Sequence, residues 1–119
     1  MSDPEILFGI YCPPHPQPLL SPDASEGYGK LRDAFETCRK RIEESEADLI
    51  LVYSTTWPSI IGHQIQGHPE PEWVHVDDDF HYLGSMPYKF KMDTEFAEKF
   101  RESAESRGLQ SRTVSYDGF

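Results

Sequence analysis

The sequence predicts an α/β layered sandwich with a parallel or mixed central sheet, built as a single domain over residues 1–119. Three observations lead there. Two short aliphatic runs, EILFGIY (5–11) and DLILVYS (48–54), flank a long segment of helical periodicity. A second helical pattern, DTEFAEKFRESAESRG (93–108), runs into the strand-like LQSRTVSY (109–116). Proline, glycine and serine punctuate the borders between them.

EILFGIY is apolar without alternation and is bounded by Pro4 and a proline cluster, so it reads as a strand buried on both faces. The stretch IYCPPHPQPLL (10–20) then pins His15 between Pro14 and Pro16. Each proline fixes its own φ and pushes the preceding residue extended, which makes a stiff loop carrying one imidazole at the end of a strand. Leu31, Phe35, Cys38 and Ile42 follow at intervals of four, three and four, one stripe of a helix that either Ser21 or Ser25 can cap. DLILVYS is the second strand. Strand, helix, strand in this order implies parallel pairing through a right-handed crossover.

Residues 55–92 read as irregular, with Pro58, Pro69, Pro71 and Pro87 and the imidazoles of His63, His68, His75 and His81. Within them EWVHVD alternates like a short strand. Asp93 caps the second helix, Gly108 closes it, and Phe96, Ala97, Phe100 and Ala104 form its apolar face. Glu36 with Lys40 and Glu95 with Lys99 are i,i+4 pairs that support the helices. The sequence stops at SYDGF, directly after a strand and a turn signal, which predicts that more of the sheet comes from elsewhere.

A net charge of −10 disfavours nucleic acid and anionic membrane surfaces, because phosphate would be repelled. An apolar fraction of 37% with 13% aromatic residues fits a globular chain. MSDPEILFGIY has neither a basic leader region nor a long apolar stretch, so no signal peptide and no membrane span are expected. Cys12 and Cys38 lack C-x-x-C spacing, which fits a reduced, cytoplasmic setting.

In open parallel sheets, loops leaving neighbouring strands converge at their carboxyl ends and bind ligands there. Strand one delivers His15, and strand two delivers STTWPSIIGHQIQGH with His63 and His68. Two neutral imidazoles and a carboxylate suit a non-haem Fe(II) centre, so His15 with His63 or His68 of the second loop are the candidate metal ligands. Pro14, Thr56 and Trp57 are the candidate substrate contacts, Trp57 shaping a pocket beside Pro58. The plainer alternatives are a loop histidine at 15, exposed imidazoles at the Gly62 and Gly67 turns, and a packing tryptophan. His75 and Asp77 have the H-x-D spacing of another iron site, but such a site also needs a remote histidine, and downstream of Asp77 only His81 remains, far too close; Asp77, Asp78 and Asp79 read as a solvated loop. Ser54, Thr55, Thr56 and Ser59 lack an evident base, and GYGK (27–30) lacks phosphate-loop spacing.

ILFGIYCPPHPQPLL, the helix after it and DLILVYSTTW, with the later FHYLGSMPYKFKMDTEFAEKF and GLQSRTVSYDGF, resemble the amino-terminal half of class III extradiol ring-cleavage dioxygenases, the family of the protocatechuate 4,5-dioxygenase catalytic subunit. The resemblance implies half of that fold and a non-haem Fe(II) chemistry that opens catechol-like or aminophenol-like rings with dioxygen. It matches His15 to the first iron histidine. Thr56 stands where the family commonly has its second, and the third ligand, a glutamate, belongs to the carboxy-terminal half. His63 substitutes only if its loop folds back. The implied protein is therefore a subunit or half-domain whose site a second polypeptide or a second copy completes around a small aromatic substrate. The alternative is a non-catalytic structural or regulatory subunit of the same fold that has lost its iron site.

Overall fold

A computed structural model describes residues 3–60 and 62–118. Their contacts define two compact units, one running through Val52 with Asp79–Gly84 added, the other comprising Tyr53–Asp78 and the residues from Ser85 onward.

In the first unit the prolines shape the chain more than their loop character predicts. Pro16 caps a single helical turn, α1 (Gln17–Leu20), whose Leu20 N–H donates to the Pro16 carbonyl at 2.9 Å. Pro18 within it is fully buried. A 3-10 turn at Pro22–Ala24 leads into the twenty-residue α2 (Glu26–Ser45). Of the two candidate caps Ser25 is the one used, its Oγ accepting from the Tyr28 N–H at 3.2 Å. Phe35, Cys38 and Ile42 lie half-buried on the expected stripe while Leu31 is exposed, and α1 and the 3-10 turn pack against this helix. Arg41 holds its guanidinium 4.8 Å above the Phe8 ring, fastening the amino-terminal run to α2 by a cation–π contact. Glu36 does not pair with Lys40. Arg39, three residues on, reaches it first and also bonds Glu43 at 2.6 Å. The helix ends at Glu46, a non-glycine residue in the left-handed region with φ 55°.

The two aliphatic runs expected to be strands, 5–11 and 48–54, carry no regular secondary structure. A strand exists only where its backbone groups find a ladder partner, and among the described residues neither run has one. Ile6, Tyr11, Val52 and Tyr53 consequently lie open to solvent. The border between the units falls inside the second run, after Val52. The predicted strand–helix–strand unit over 5–54 is therefore not formed.

Strand pairing occurs in the second unit instead. β1 (His63–Gln66) pairs in parallel with β4 (Ser111–Val114), His63 opposite Ser111 and Gln66 opposite Val114. β2 (Glu72–His75) and β3 (Met86–Lys89) form an antiparallel ribbon with Trp73 opposite Tyr88. Between β3 and β4 runs α3 (Thr94–Ser106), capped as expected by Asp93, whose Oδ1 accepts from the Phe96 N–H at 2.9 Å. α3 packs against β4 and β1, and buries Ala97. The parallel pair thus takes α3 as part of its crossover, which a parallel connection requires. Helix with two small sheets is compatible with an α/β class, but there is no single central sheet among the described residues.

One glycine is required by geometry. Gly62 has φ +62°, and a Cβ there would stand 2.1 Å from the Gln110 carbonyl oxygen. That carbonyl accepts from the His63 N–H at 2.8 Å and opens the parallel ladder.

Two substitutions test these backbone features in urea titrations. Glu46→Gly relieves the left-handed cap and is expected to raise the stability of the unit that holds α2 by about 1 kcal/mol. Gly62→Ala combines a strained φ with a backbone clash and is expected to cost roughly 2–3 kcal/mol.

Candidate functional site

His15 and Pro14 are exposed on the turn that enters α1, and His15 makes no hydrogen bond to a described residue. Immediately behind them the chain turns inward: Pro16, Gln17 and Pro18 are all buried. The backbone carbonyl of Gln17 accepts from the Ser21 N–H at 2.8 Å. Its side-chain Oε1, however, is buried with no partner among the described residues, in a residue only 8% exposed. A buried amide oxygen without a donor is costly, so this acceptor next to His15 is the one polar group of the proline loop not accounted for by packing.

Thr56 and Trp57 belong to the second unit. Thr56 closes a tight hydroxyl turn, its Oγ1 3.0 Å from Ser54 Oγ and its N–H donating to the same atom at 3.2 Å. Ser54 and Thr56 are exposed. Trp57 is half-buried and tilts against Tyr116, ring centroids 6.0 Å apart. The Gln64 amide ties these pieces together, donating to the Tyr116 hydroxyl at 2.7 Å and the Pro58 carbonyl at 3.2 Å. His63 opens β1 with an exposed side chain.

His68 is not the free loop imidazole that its glycine turn suggests. Its Nδ1 accepts from the Glu70 N–H at 3.0 Å, so in the neutral ring the proton sits on Nε2, which faces Asp117 Oδ1 at 3.8 Å. The His68 N–H donates to Gln66 Oε1 at 3.0 Å, and Gln66 Nε2 donates to the Tyr116 carbonyl at 2.9 Å. Asp117 Oδ1 also accepts from the Glu72 N–H at 3.1 Å, and its carbonyl from the Tyr88 hydroxyl at 2.7 Å. Gln66, Tyr116 and Asp117 thus form a polar knot between β1, the ribbon and the carboxy-terminal segment. They were not among the residues singled out from the sequence. The signal present was HQIQ, in which a glutamine two residues from another shares one strand face and must find partners when buried.

Displaced titration appears on the helices. Arg39 holds the Glu36 carboxyl below the usual carboxylate range by hydrogen bonding and then by charge, while Glu98 raises Arg101 in the same way against the opposing effect of burial. These pairs are surface supports of α2 and α3.

For iron the donor set is insufficient. Among the described residues no three histidine, cysteine, aspartate or glutamate side chains come together as a metal would need. His15 and His63 lie in separate units, and the Thr56 hydroxyl is engaged with Ser54. The described residues do not fit a complete Fe(II) site.

No family model matches the chain. It is similar to subunits of 2-aminophenol 1,6-dioxygenase. Over 114 residues, 96% of its length, it is 26% identical to the 2-aminophenol 1,6-dioxygenase alpha subunit of a Pseudomonas species. Over 122 aligned positions, again 96% of its length, it is 31% identical to the beta subunit of 2-aminophenol 1,6-dioxygenase from a Pseudomonas species. The chain spans 42% of the alpha subunit and 40% of the beta subunit.

Gln17→Met removes the unpartnered acceptor at nearly constant volume. The variant is expected to unfold at an equal or higher urea midpoint, by up to about 1 kcal/mol. A clear loss of stability would show that Oε1 has a donor in solution.

Proposed function

We propose that the 119 residues act as one α/β domain in a cytoplasmic extradiol-dioxygenase-like subunit, directed at a catechol-type or aminophenol-type ring, whose reaction site is completed by a partner chain or a second copy. The observation that carries this reading is the similarity, across 96% of the chain, to both the alpha and the beta subunit of a 2-aminophenol dioxygenase. It is supported by the open apolar surface of Ile6, Tyr11 and Val52, which calls for further polypeptide to cover it.

In this reading His15 is the metal donor that the proline loop contributes, with His63 a weaker second. Pro14, Thr56 and Trp57 line the approach of the aromatic substrate. Because no three donors converge among the described residues, the other ligands come from a partner in this reading.

The second reading is a non-catalytic structural or regulatory subunit of the same fold. The engagement of Thr56 with Ser54, at the position where the resemblance expects a histidine, favours it.

Metal analysis after anaerobic Fe(II) loading separates the two. The isolated chain is expected to hold far less than one iron, whereas its complex with any co-purifying protein binds about one per assembled site and loses it in His15→Ala. A complex that takes up no iron overturns the catalytic reading and leaves the structural one.

A further inference from the structure

The β2–β3 ribbon has two unlike edges. Phe90 N–H donates to the Pro71 carbonyl at 3.0 Å and Met92 N–H to that of Pro69 at 2.9 Å. In an antiparallel ladder such hydrogen-bonded pairs recur at every second residue, so with this register the bonding pairs continue as Trp73 with Tyr88 and His75 with Met86. Glu72 and Val74 on β2, and Pro87 and Lys89 on β3, therefore turn their backbone groups outward. The Glu72 N–H does so observably, donating to Asp117.

On β3 the outward edge is blunted, since Pro87 has no N–H to offer. On β2 the outward N–H and carbonyl of Val74 find no partner among the described residues. Every residue of β2 is exposed, Trp73 at 63% and Val74 at 45%. A groove of about 380 Å³ runs along this strand, lined by Trp73, Val74, His75, Val76, Tyr88 and Gly118.

We propose that the outer edge of β2 is a docking site for an extended strand of a partner polypeptide, with an apolar centre and lysine or arginine at its ends. The inference rests on the ribbon alone and goes beyond the dioxygenase reading. The backbone groups of Val74 supply the ladder, and exposed Trp73 supplies an aromatic anchor beside it. Charge selects the occupant. Glu72 is paired with Lys89 at 3.8 Å, but Glu70 before the open stretch and Asp78 after it leave a carboxylate at each end, so a strand with basic ends is complemented there. A second copy is disfavoured by the same groups: antiparallel self-pairing centred on Val74 would set Asp78 opposite Glu70 of the other copy, twice by symmetry.

The test uses the full chain and a capped peptide of alternating valine and threonine flanked by lysines, against the same core flanked by glutamates. Amide hydrogen exchange at Val74 is expected to slow by about tenfold with the lysine peptide and not with the glutamate peptide. Val74→Pro removes the amide that would be read, so its readout is Trp73 fluorescence: the lysine peptide is expected to shift the Trp73 emission of the native chain and to lose that effect in the variant, while the Trp73 and Tyr88 amides keep their protection because the Val74 N–H faces away from β3. Should that variant lose the ribbon, the double charge reversal Asp77→Lys with Asp78→Lys serves instead, and is expected to weaken the preference for lysine flanks. Equal protection by both peptides, protection by neither, or an unchanged preference after charge reversal overturns the proposal. So does Val74 protection in the chain alone: if it disappears on dilution a second copy occupies the edge, and if it persists the chain covers the edge itself.

Discussion

The parallel ladder between His63–Gln66 and Ser111–Val114 is the joint on which the second unit depends. Its two ends are backbone contacts at glycines: the His63 N–H, beside Gly62, reaches the Gln110 carbonyl, and the Gly67 N–H reaches the Val114 carbonyl at 2.7 Å. A parallel pair cannot be closed by a tight turn, so everything between β1 and β4, including the β2–β3 ribbon and α3, is carried as its connection. The consequence reaches the candidate site. Gln64 and Gln66 project from β1 to the hydroxyl and carbonyl of Tyr116, just past β4, and Tyr116 in turn holds the Trp57 ring.

The same joint explains why the ribbon stands where it does although two strands are marginal alone. Asp117, three residues beyond the end of β4 at Val114, caps the Glu72 N–H and accepts from the Tyr88 hydroxyl, fixing β2 and β3 by side-chain and tail contacts instead of by a third strand. His68 completes the arrangement through a ring whose two nitrogens have different duties, Nδ1 accepting from backbone and Nε2 turned to a carboxylate. Such an imidazole is structural. It is poorly placed to serve as a free base or as a ligand without dismantling the turn at Glu70.

Around the proline loop the balance is reversed. There the polar groups are few and unassisted: an exposed His15, and a buried Gln17 oxygen awaiting a donor. One donor on a stiff loop can complete a metal site but cannot make one, because a divalent cation must recover from several ligands what it loses in hydration. The proposed reading, in which the chain contributes part of a shared site, is supported by the similarity to both subunits of a dioxygenase over two-fifths of their length.

What the sequence by itself determined about this protein was the helices, because a helix is decided within its own span. The Phe35, Cys38, Ile42 stripe, the Asp93 cap and the close of α3 before Gly108 follow from local spacing and local hydrogen bonds, while the structure chose Ser25 over Ser21 as the cap of α2. Even there the choice of Arg39 over Lys40 as partner for Glu36 needed side-chain reach, which spacing does not encode. Of the candidate site, the position of His15 on a proline turn was legible, and so were the β2 and β4 strands. The strands at HQIQ and MPYK were not, since glutamine is a weak strand former and proline argues against one. Only the tertiary structure decided which segments pair: the aliphatic runs 5–11 and 48–54 have the stronger strand composition, yet the ladders formed elsewhere. Strand pairing is a property of two distant segments at once, and composition describes only one of them.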